Sequence, residues 1–270
     1  MDTTHEHMVE QTWRAFLTEG VSGSEQSQRR LFKLLPGFPR CKICWAPFHG
    51  AGSLVARNLY GKRPSSLNPH LCNFCEQFAA EYSGGAEIEL SLLFADVRGS
   101  TALAERMTPT EFSRLVGRFF SAATEVMVRN DALIDKIIGD QAAGIFAPGL
   151  VGPGHARRAI KAAQEMLKAT GHGHPDGPWI PLGVGVHTGV AFVGSVGSEL
   201  GAIDITVLGD TANTAARLSS SAGVGEILLS DAAFQAAGLN PGEMDVRQVD
   251  LKGKSLPMLV HVLTNKEKQL

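Results

Sequence analysis

Two carboxylates carry the first chemical hint. Asp96 closes the apolar run "LLFAD", and Asp140 follows Gly139 in "DKIIGDQAAGIF". A carboxylate after five apolar or small neighbours needs a reason, because burying an unpaired charge is costly. If the hairpin around Gly139 lies antiparallel beside the strand ending at Asp96, the two acids come together. Two carboxylates from adjacent strands are the usual minimum for a two-metal phosphoryl-transfer site. Gly99, Ser100 and Thr101 then open a helix whose free N–H groups and dipole suit a phosphate. A carboxylate beside such a terminus is the chemistry of a Mg²⁺-bound polyphosphate. The plainer alternatives are a helix capped by Ser100 or Thr101 and an Asp140 that only serves a turn.

Asn213 and Arg217, in "GDTANTAARL", are spaced i and i+4 and so share one helical face. There an Asn could orient a sugar oxygen and an Arg could neutralise developing phosphate charge. A solvated polar face is the alternative. His187, in "GVHTG", reads as a structural strand-end histidine, and "GHGH" at 171–174 reads as a surface loop rather than a metal site.

All four cysteines fall in two C-x-x-C pairs, Cys41/Cys44 and Cys72/Cys75. This spacing fits a tetrahedral Cys₄ zinc site, which would stabilise a module too small for a strong core of its own. An iron–sulfur cluster or a redox dithiol pair is the alternative. Disulfides are the weaker reading in a chain without a secretion signal. His49 and His70 are spare ligands, but four thiolates already complete the coordination.

The elements that must position these groups follow from periodicity. Residues from about Met8 to Leu35 read as one or two helices ended by Pro36-Gly37. The cysteine module spans roughly 36–83, with "SGGAE" at Ser83–Glu87 as a short hinge. From residue 84 to 270 strands and helices alternate. "EIELSLLFADV" reads as a buried strand and "PTEFSRLVGRFFSAATEVMVRN" as a helix. "ALIDKII" and "QAAGIF" form a hairpin about Gly139-Asp140. "GHARRAIKAAQEMLKAT" is an amphipathic helix. "PLGVGVHTG" and "VAFVGSVG" read as a second hairpin, "DTANTAARLSSSAG" as a helix, and "EILLS", "MDVRQVDL" and "LVHVLT" as short strands. The order suggests a ferredoxin-like βαββαβ α+β fold with helices on one face of the sheet.

Composition narrows the function classes. With 44% hydrophobic and 19% charged residues over 270, a packed core is feasible. A formal net charge of −2 gives no support for nucleic-acid binding. No apolar run approaches the ~20 residues that span a bilayer, and the polar start lacks a signal peptide's apolar core, so a cytoplasmic protein with no membrane partner is expected.

Four segments, "LLFADVRGSTALAERM", "DKIIGDQAAGIF", "GVGVHTGVAFVGSVG" and "TVLGDTANTAARL", occur in this order and are similar to the class III nucleotidyl cyclase catalytic domain. The resemblance runs from about Glu87 to Leu263. It implies that Asp96, Asp140 and the Val97 carbonyl hold two Mg²⁺ or Mn²⁺. It implies that Lys136 and Thr206 read the base, that Asn213 orients the ribose, that Arg217 stabilises the transition state, and that Lys254 binds phosphate. It further implies attack of the ribose 3′-oxygen on the α-phosphorus at the interface of a head-to-tail homodimer. Asp96 and Asp140 would come from one chain, and Lys136, Thr206, Asn213 and Arg217 from the other. Thr206 stands where adenylyl cyclases often have Asp, and Ser100 where the family often has Phe. Threonine here resembles one bacterial subgroup of adenylyl cyclases, so ATP is the expected substrate. GTP, a pyrimidine triphosphate, or a catalytically silent nucleotide-sensing module remain the alternatives.

Overall fold

The computed structural model describes residues 3–197, 203–240, 244–253 and 256–264. Lys254 lies outside the described residues. Helices α1 (Thr3–Thr18) and α2 (Gly23–Leu34) lead into the cysteine segment, which carries α3 (Ala51–Tyr60) and α4 (Asn73–Glu81). Then follow β1 (Gly85–Val97), α5 (Ser100–Arg106), α6 (Pro109–Arg129), β2 (Leu133–Ile138), β3 (Gln141–Phe146), α7 (Pro148–Val151) and α8 (His155–Ala169). The chain continues through β4 (Leu182–Val196), β5 (Asp204–Leu208), α9 (Asp210–Ser221), β6 (Glu226–Ser230), α10 (Asp231–Ala236), β7 (Asp245–Val249) and β8 (Met258–Thr264).

Local sequence explains the main elements. α6 begins with Pro109 after Thr108, whose hydroxyl accepts from the Glu111 N–H while the Glu111 carboxylate accepts from the Thr108 N–H. That reciprocal cap satisfies two donors the helix start would otherwise leave open. Its buried stripe of Phe119, Ala123, Val126 and Met127 recurs at helical spacing and packs on the sheet.

The strands form one eight-stranded sheet in the order β2-β3-β1-β4-β6-β8-β7, with β5 paired to β4. β1 is central and antiparallel to both β3 and β4, while β4 and β6 run parallel. Helices cover both faces, not one as expected from the element order. Leu182, Val184 and Val186 of β4 share a core with α6 and α8. On the other face Ile88, Leu90, Leu92, Ala191 and Val193 pack with α9 and with Val9, Trp13 and Leu17 of α1.

The expected second hairpin is also corrected. "PLGVGVHTG" and "VAFVGSVG" belong to one 15-residue strand, β4, and its hairpin partner is β5. Gly189 marks a close approach rather than a turn: a Cβ there would stand 3.0 Å from Thr211 Oγ1. Gly185 is more restrictive, since a Cβ would stand 2.3 Å from the Ser219 nitrogen of α9. Small residues on that face let α9 lie directly on the strand.

The Ser83–Glu87 segment, expected as a short hinge, is hydrogen-bonded to β4. Gly84 donates to Ser195 Oγ, and Ser195 N–H donates back to the Gly84 carbonyl at 2.7 Å. The cysteine segment shares a single core with the sheet, in which Cys41, Cys72 and Leu71 stand with Leu133, Ile145, Ile205 and Val207.

Two buried histidines tie the sheet to α8. His155 Nδ1 lies 2.9 Å from Ser91 Oγ, which lies 2.6 Å from Thr188 Oγ1 on the neighbouring strand. His172, expected on the surface with His174, is buried; its Nε2 accepts from the Leu182 N–H. Burial pushes both imidazoles below their ordinary pKa, opposed by Glu89 at His155 and by the Leu167 carbonyl contact at His172. A folded value below the unfolded one means the unfolded chain takes up protons first. Stability is therefore full above the ordinary imidazole value of about 6.5 and falls as the pH drops through the folded values. Denaturant midpoints measured from about pH 8 to about pH 5 should decline from near pH 6.5 downward; a flat profile would refute this assignment.

Candidate functional site

The end of β1 and the β2–β3 turn form an acidic corner. Asp96 lies opposite Gln141 in the ladder, and the Val97 N–H donates to the Asp140 carbonyl at 3.1 Å. The structure thus brings Asp96, Val97 and Asp140 together, as the hairpin geometry requires. Asp96 pairs with the Arg98 guanidinium and accepts from Gln141 Nε2 at 3.3 Å and Ser220 Oγ at 3.5 Å. Burial pushes the Arg98 guanidinium below its ordinary pKa, and the Asp140 carboxylate opposes that shift. Arg98 is thus paired with Asp96 and lies within the field of Asp140. α5 starts at Ser100 without a side-chain cap, which leaves the backbone N–H groups at Gly99–Thr101 without a capping oxygen.

A second group forms on the same hairpin but faces β5. Lys136 Nζ donates to Thr206 Oγ1 at 3.0 Å and to Asp135 Oδ2 at 2.9 Å. Thr206 Oγ1 donates to Asp135 Oδ1 at 2.7 Å. A register shift between Ile134 and Ile137 makes this possible: Asp135 and Lys136 together oppose the single residue Ala143. In an unbroken strand successive side chains point to opposite faces, whereas a bulge re-aims them. Asp135 was not singled out as a site residue from sequence. Its signal was a second charge beside Lys136 inside an apolar strand.

Asn213 is exposed on α9, and Arg217 on the same helix is half-buried with its guanidinium against Gly253. Among the described residues no hydrogen bond or ion pair joins the acidic corner to the Lys136–Thr206 group. His187 lies in mid-strand, not at a strand end, with Nδ1 2.7 Å from Ser230 Oγ. Two cavities lie away from Asp96 and Asp140. A cavity of about 1060 Å³ lies between α1 and the start of β1, lined by His5, Glu10, Arg14 and Phe192. A smaller one of about 430 Å³ touches Lys136, Asp135 and the cysteine segment.

The four thiols converge although 31 residues separate Cys41 from Cys72. Their Sγ atoms all lie within 4.8 Å of one another, and Cys44 and Cys72 are 3.7 Å apart. Four sulfurs at ~2.3 Å from a tetrahedral centre stand roughly 3.8 Å from each other, while a disulfide needs ~2.0 Å. The cluster could hold a metal ion. Its surroundings are cationic. Burial pushes Arg29 down to about 10, with Cys44 and Cys75 opposing. Burial also lowers Lys62, but the four cysteines outweigh it and raise its pKa. Arg29 also stacks 3.8 Å over the Trp45 ring.

The cysteine segment reaches both strands of the Lys136–Thr206 group. Ile134 N–H of β2 donates to the Lys42 carbonyl, and Trp45 Nε1 donates to the Ala132 carbonyl. Lys42 Nζ, nearly buried, pairs with Asp204 of β5 at 2.9 Å, and Asn68 donates to the Ile203 carbonyl. None of these long-range partners shares a sequence pattern with the other.

Comparison with known proteins gives the family. A family profile described as "Adenylate and Guanylate cyclase catalytic domain" matches residues 86–265. An adenylate cyclase of Anabaena cylindrica is 30% identical over 142 residues, covering 51% of this chain and 28% of that protein. An adenylate cyclase of Mycobacterium tuberculosis is 29% identical over 169 residues, covering 62% of this chain and 38% of that protein. The matched region thus spans well under half of these relatives. Among solved structures, the guanylyl cyclase Cya2 superposes with a TM-score of 0.60 at 26% identity, covering 66% of this chain and 93% of that one. The adenylyl cyclase CyaB from P. aeruginosa shares the fold, with a TM-score of 0.58 at 23% identity over 69% of this chain and 98% of that one. Structures named for either base superpose alike, so the fold does not select the nucleotide. The chain belongs to the adenylate and guanylate cyclase catalytic domain family.

Proposed function

We propose that this domain is an adenylyl cyclase, converting ATP into 3′,5′-cyclic AMP and pyrophosphate at sites shared between two copies of the chain. The observation that carries the choice of base is the 3.0 Å contact between Lys136 and Thr206, two residues 70 positions apart in the chain. Lys136 donates to N1 of adenine and Thr206 accepts from the 6-amino group.

Asp96, Asp140 and the Val97 carbonyl offer only oxygen donors, the set that hard cations take, and so fit Mg²⁺ or Mn²⁺. When bound, such ions lower the pKa of the 3′-hydroxyl and neutralise triphosphate charge. Asn213 orients the ribose. The 3′-oxygen forms its bond to the α-phosphorus as the bond to the β-phosphate bridging oxygen breaks, and the hydroxyl proton passes to Asp96 or to water. Arg217 neutralises the charge that develops on the α-phosphate, while Lys254 and the backbone at Gly99–Thr101 bind the leaving pyrophosphate.

A head-to-tail homodimer accounts for the separation of the two groups. One copy contributes the acidic corner, and the second contributes Lys136, Thr206, Asn213 and Arg217. A homodimer then carries two equivalent sites.

Zinc is the ion that best suits Cys41, Cys44, Cys72 and Cys75. Four thiolates around Zn²⁺ carry a net negative charge, which Arg29 and Lys62 balance. Among the described residues no helix is long and apolar enough to cross a membrane.

Incubating the purified chain with each nucleoside triphosphate and Mg²⁺ or Mn²⁺, then identifying the cyclic product, tests the reading. Cyclic AMP from ATP is expected. Exclusive turnover of another triphosphate would sink the choice of base, and nucleotide binding without turnover would point to a silent sensing module.

A further inference from the structure

Asp135 is 1% exposed in the middle of a strand, yet it has no neighbouring charge that sequence alone would pair with it except Lys136. A carboxylate in such a place only accepts, and it must be satisfied. Three donors converge on it. Thr206 Oγ1 donates to Oδ1 at 2.7 Å, the Val207 N–H donates to the same oxygen at 3.2 Å, and Lys136 Nζ donates to Oδ2 at 2.9 Å.

This arrangement decides what Thr206 can offer a ligand. A hydroxyl has one proton and two acceptor sites. The proton is directed to Asp135. Lys136 Nζ donates into one of the two acceptor sites at 3.0 Å. What remains is a single lone pair, so Thr206 can accept and cannot donate. Lys136 has three protons and no acceptor. Two are directed to Asp135 and Thr206, and the third is available to a base.

We propose that Asp135 is a specificity-determining positioning residue that fixes the polarity of the Thr206 hydroxyl and so makes the site select adenine. The inference rests on the base-reading roles given to Lys136 and Thr206 above. With Thr206 facing position 6 and Lys136 facing position 1, adenine offers a donor and an acceptor in matching order. Guanine or hypoxanthine offers an acceptor to an acceptor and a donor to a donor. A site whose buried polar groups are left unpaired or opposed rejects the analogue strongly. Without Asp135 the threonine hydroxyl could turn and serve either base.

The buried position also explains the bulge. An unbroken strand would send Asp135 and Lys136 to opposite faces. The extra residue turns both toward Thr206, so the bulge is the backbone feature that lets one carboxylate orient both base-reading groups.

The test compares kcat/KM for ATP and GTP on the full chain. Asp135→Asn keeps the shape but introduces an N–H that can donate to Thr206 and free its proton. The ATP:GTP ratio should fall by at least about tenfold, since one opposed hydrogen bond is relieved for guanine and one is lost for adenine. Thr206→Val should lower the ratio as well, and the double variant should fall little further, because the two act as one unit. A parallel loss with both nucleotides, leaving the Asp135→Asn ratio unchanged while Thr206→Val shifts it, overturns the role of Asp135 alone. An unchanged ratio in Thr206→Val overturns the base-reading pair itself.

The unaltered protein gives a check that does not depend on how Asp135→Asn folds. Purine riboside triphosphate lacks the 6-amino group, and inosine triphosphate replaces it with an acceptor. An acceptor-only Thr206 ranks them ATP, then the purine riboside, then inosine triphosphate, because the last sets acceptor against acceptor at position 6 in addition to donor against donor at position 1. Inosine triphosphate turned over as well as or better than the purine riboside would show that the hydroxyl donates and would overturn the proposal.

Discussion

Asp96→Ala and Arg217→Ala are each expected to lose at least about two orders of magnitude in kcat, the range seen when one charge-stabilising group is removed from a transition state. Mixed together, the two inactive variants should regain activity. Asp96 lies in the acidic corner, where Arg98, Gln141 and Ser220 surround it. Arg217 lies on α9 with its guanidinium against Gly253. In the proposed head-to-tail dimer these residues would meet across the interface, so a mixed dimer would hold one intact site and one doubly damaged site. Random pairing of equal amounts makes half the dimers mixed, which predicts recovery of roughly a quarter of the unaltered activity. Sites built within one chain would give no recovery from mixing. Absence of recovery in dimers proven to be mixed therefore refutes the shared site, whatever the substrate.

Substituting a cysteine should be as damaging to the fold as those changes are to turnover. Cys41→Ser is expected to release one metal equivalent per chain and to lower stability by more than about 4 kcal/mol, the range reached when a metal or a buried network is lost. For a domain of this size that corresponds to a fall in Tm of more than about 8 °C. The physical reason is the shared core. Cys41 and Cys72 are fully buried and pack in one cluster with strand residues such as Leu133, Ile205 and Val207. Losing the ion would leave Arg29, already 7% exposed and cationic, without the thiolate charge that balances it. Elemental analysis and a thermal melt of the same sample check both halves. Zinc at one per chain is expected, while visible charge-transfer absorption with iron and sulfide would replace zinc by a cluster. An unchanged Tm in a variant that has lost its metal would show that the centre is not structural.

The strands that carry Lys136 and Thr206 should feel such damage too. Lys42, one residue after Cys41, holds Asp204 through its ammonium and Ile134 through its carbonyl. Those residues flank Thr206 and Asp135 in β5 and β2. The cysteine centre therefore supports the two strands whose side chains meet at Lys136 and Thr206.

The residues of the candidate site stood out in the chain because their signals are local. Asp96 after an apolar strand, Asp140 in a Gly-Asp turn, and Asn213 with Arg217 one helical turn apart depend only on strand and helix periods. The β2–β3 hairpin forms where Gly139-Asp140 suggests it, and β1 lies beside β3 so that Asp96 and Asp140 meet. The misreadings share a cause. Gly189 looks like a turn residue, but it is there because Thr211 of α9 approaches the strand. His172 looks like a loop residue, but the buried Leu167 carbonyl and Leu182 N–H hold it inside. In each case a distant packing partner overrides the local propensity.

By itself the sequence determined which chemical groups are present and which of them share a helix face, a turn or a strand end. It also determined that two C-x-x-C pairs could supply four thiolates. Only the tertiary structure decided that Asp135 reaches Thr206, 71 residues away, and thereby where the hydroxyl proton points. A threonine can donate or accept, and periodicity carries no information about which. That choice belongs to whatever buried group the fold sets opposite it, and here the group is a carboxylate that can only accept.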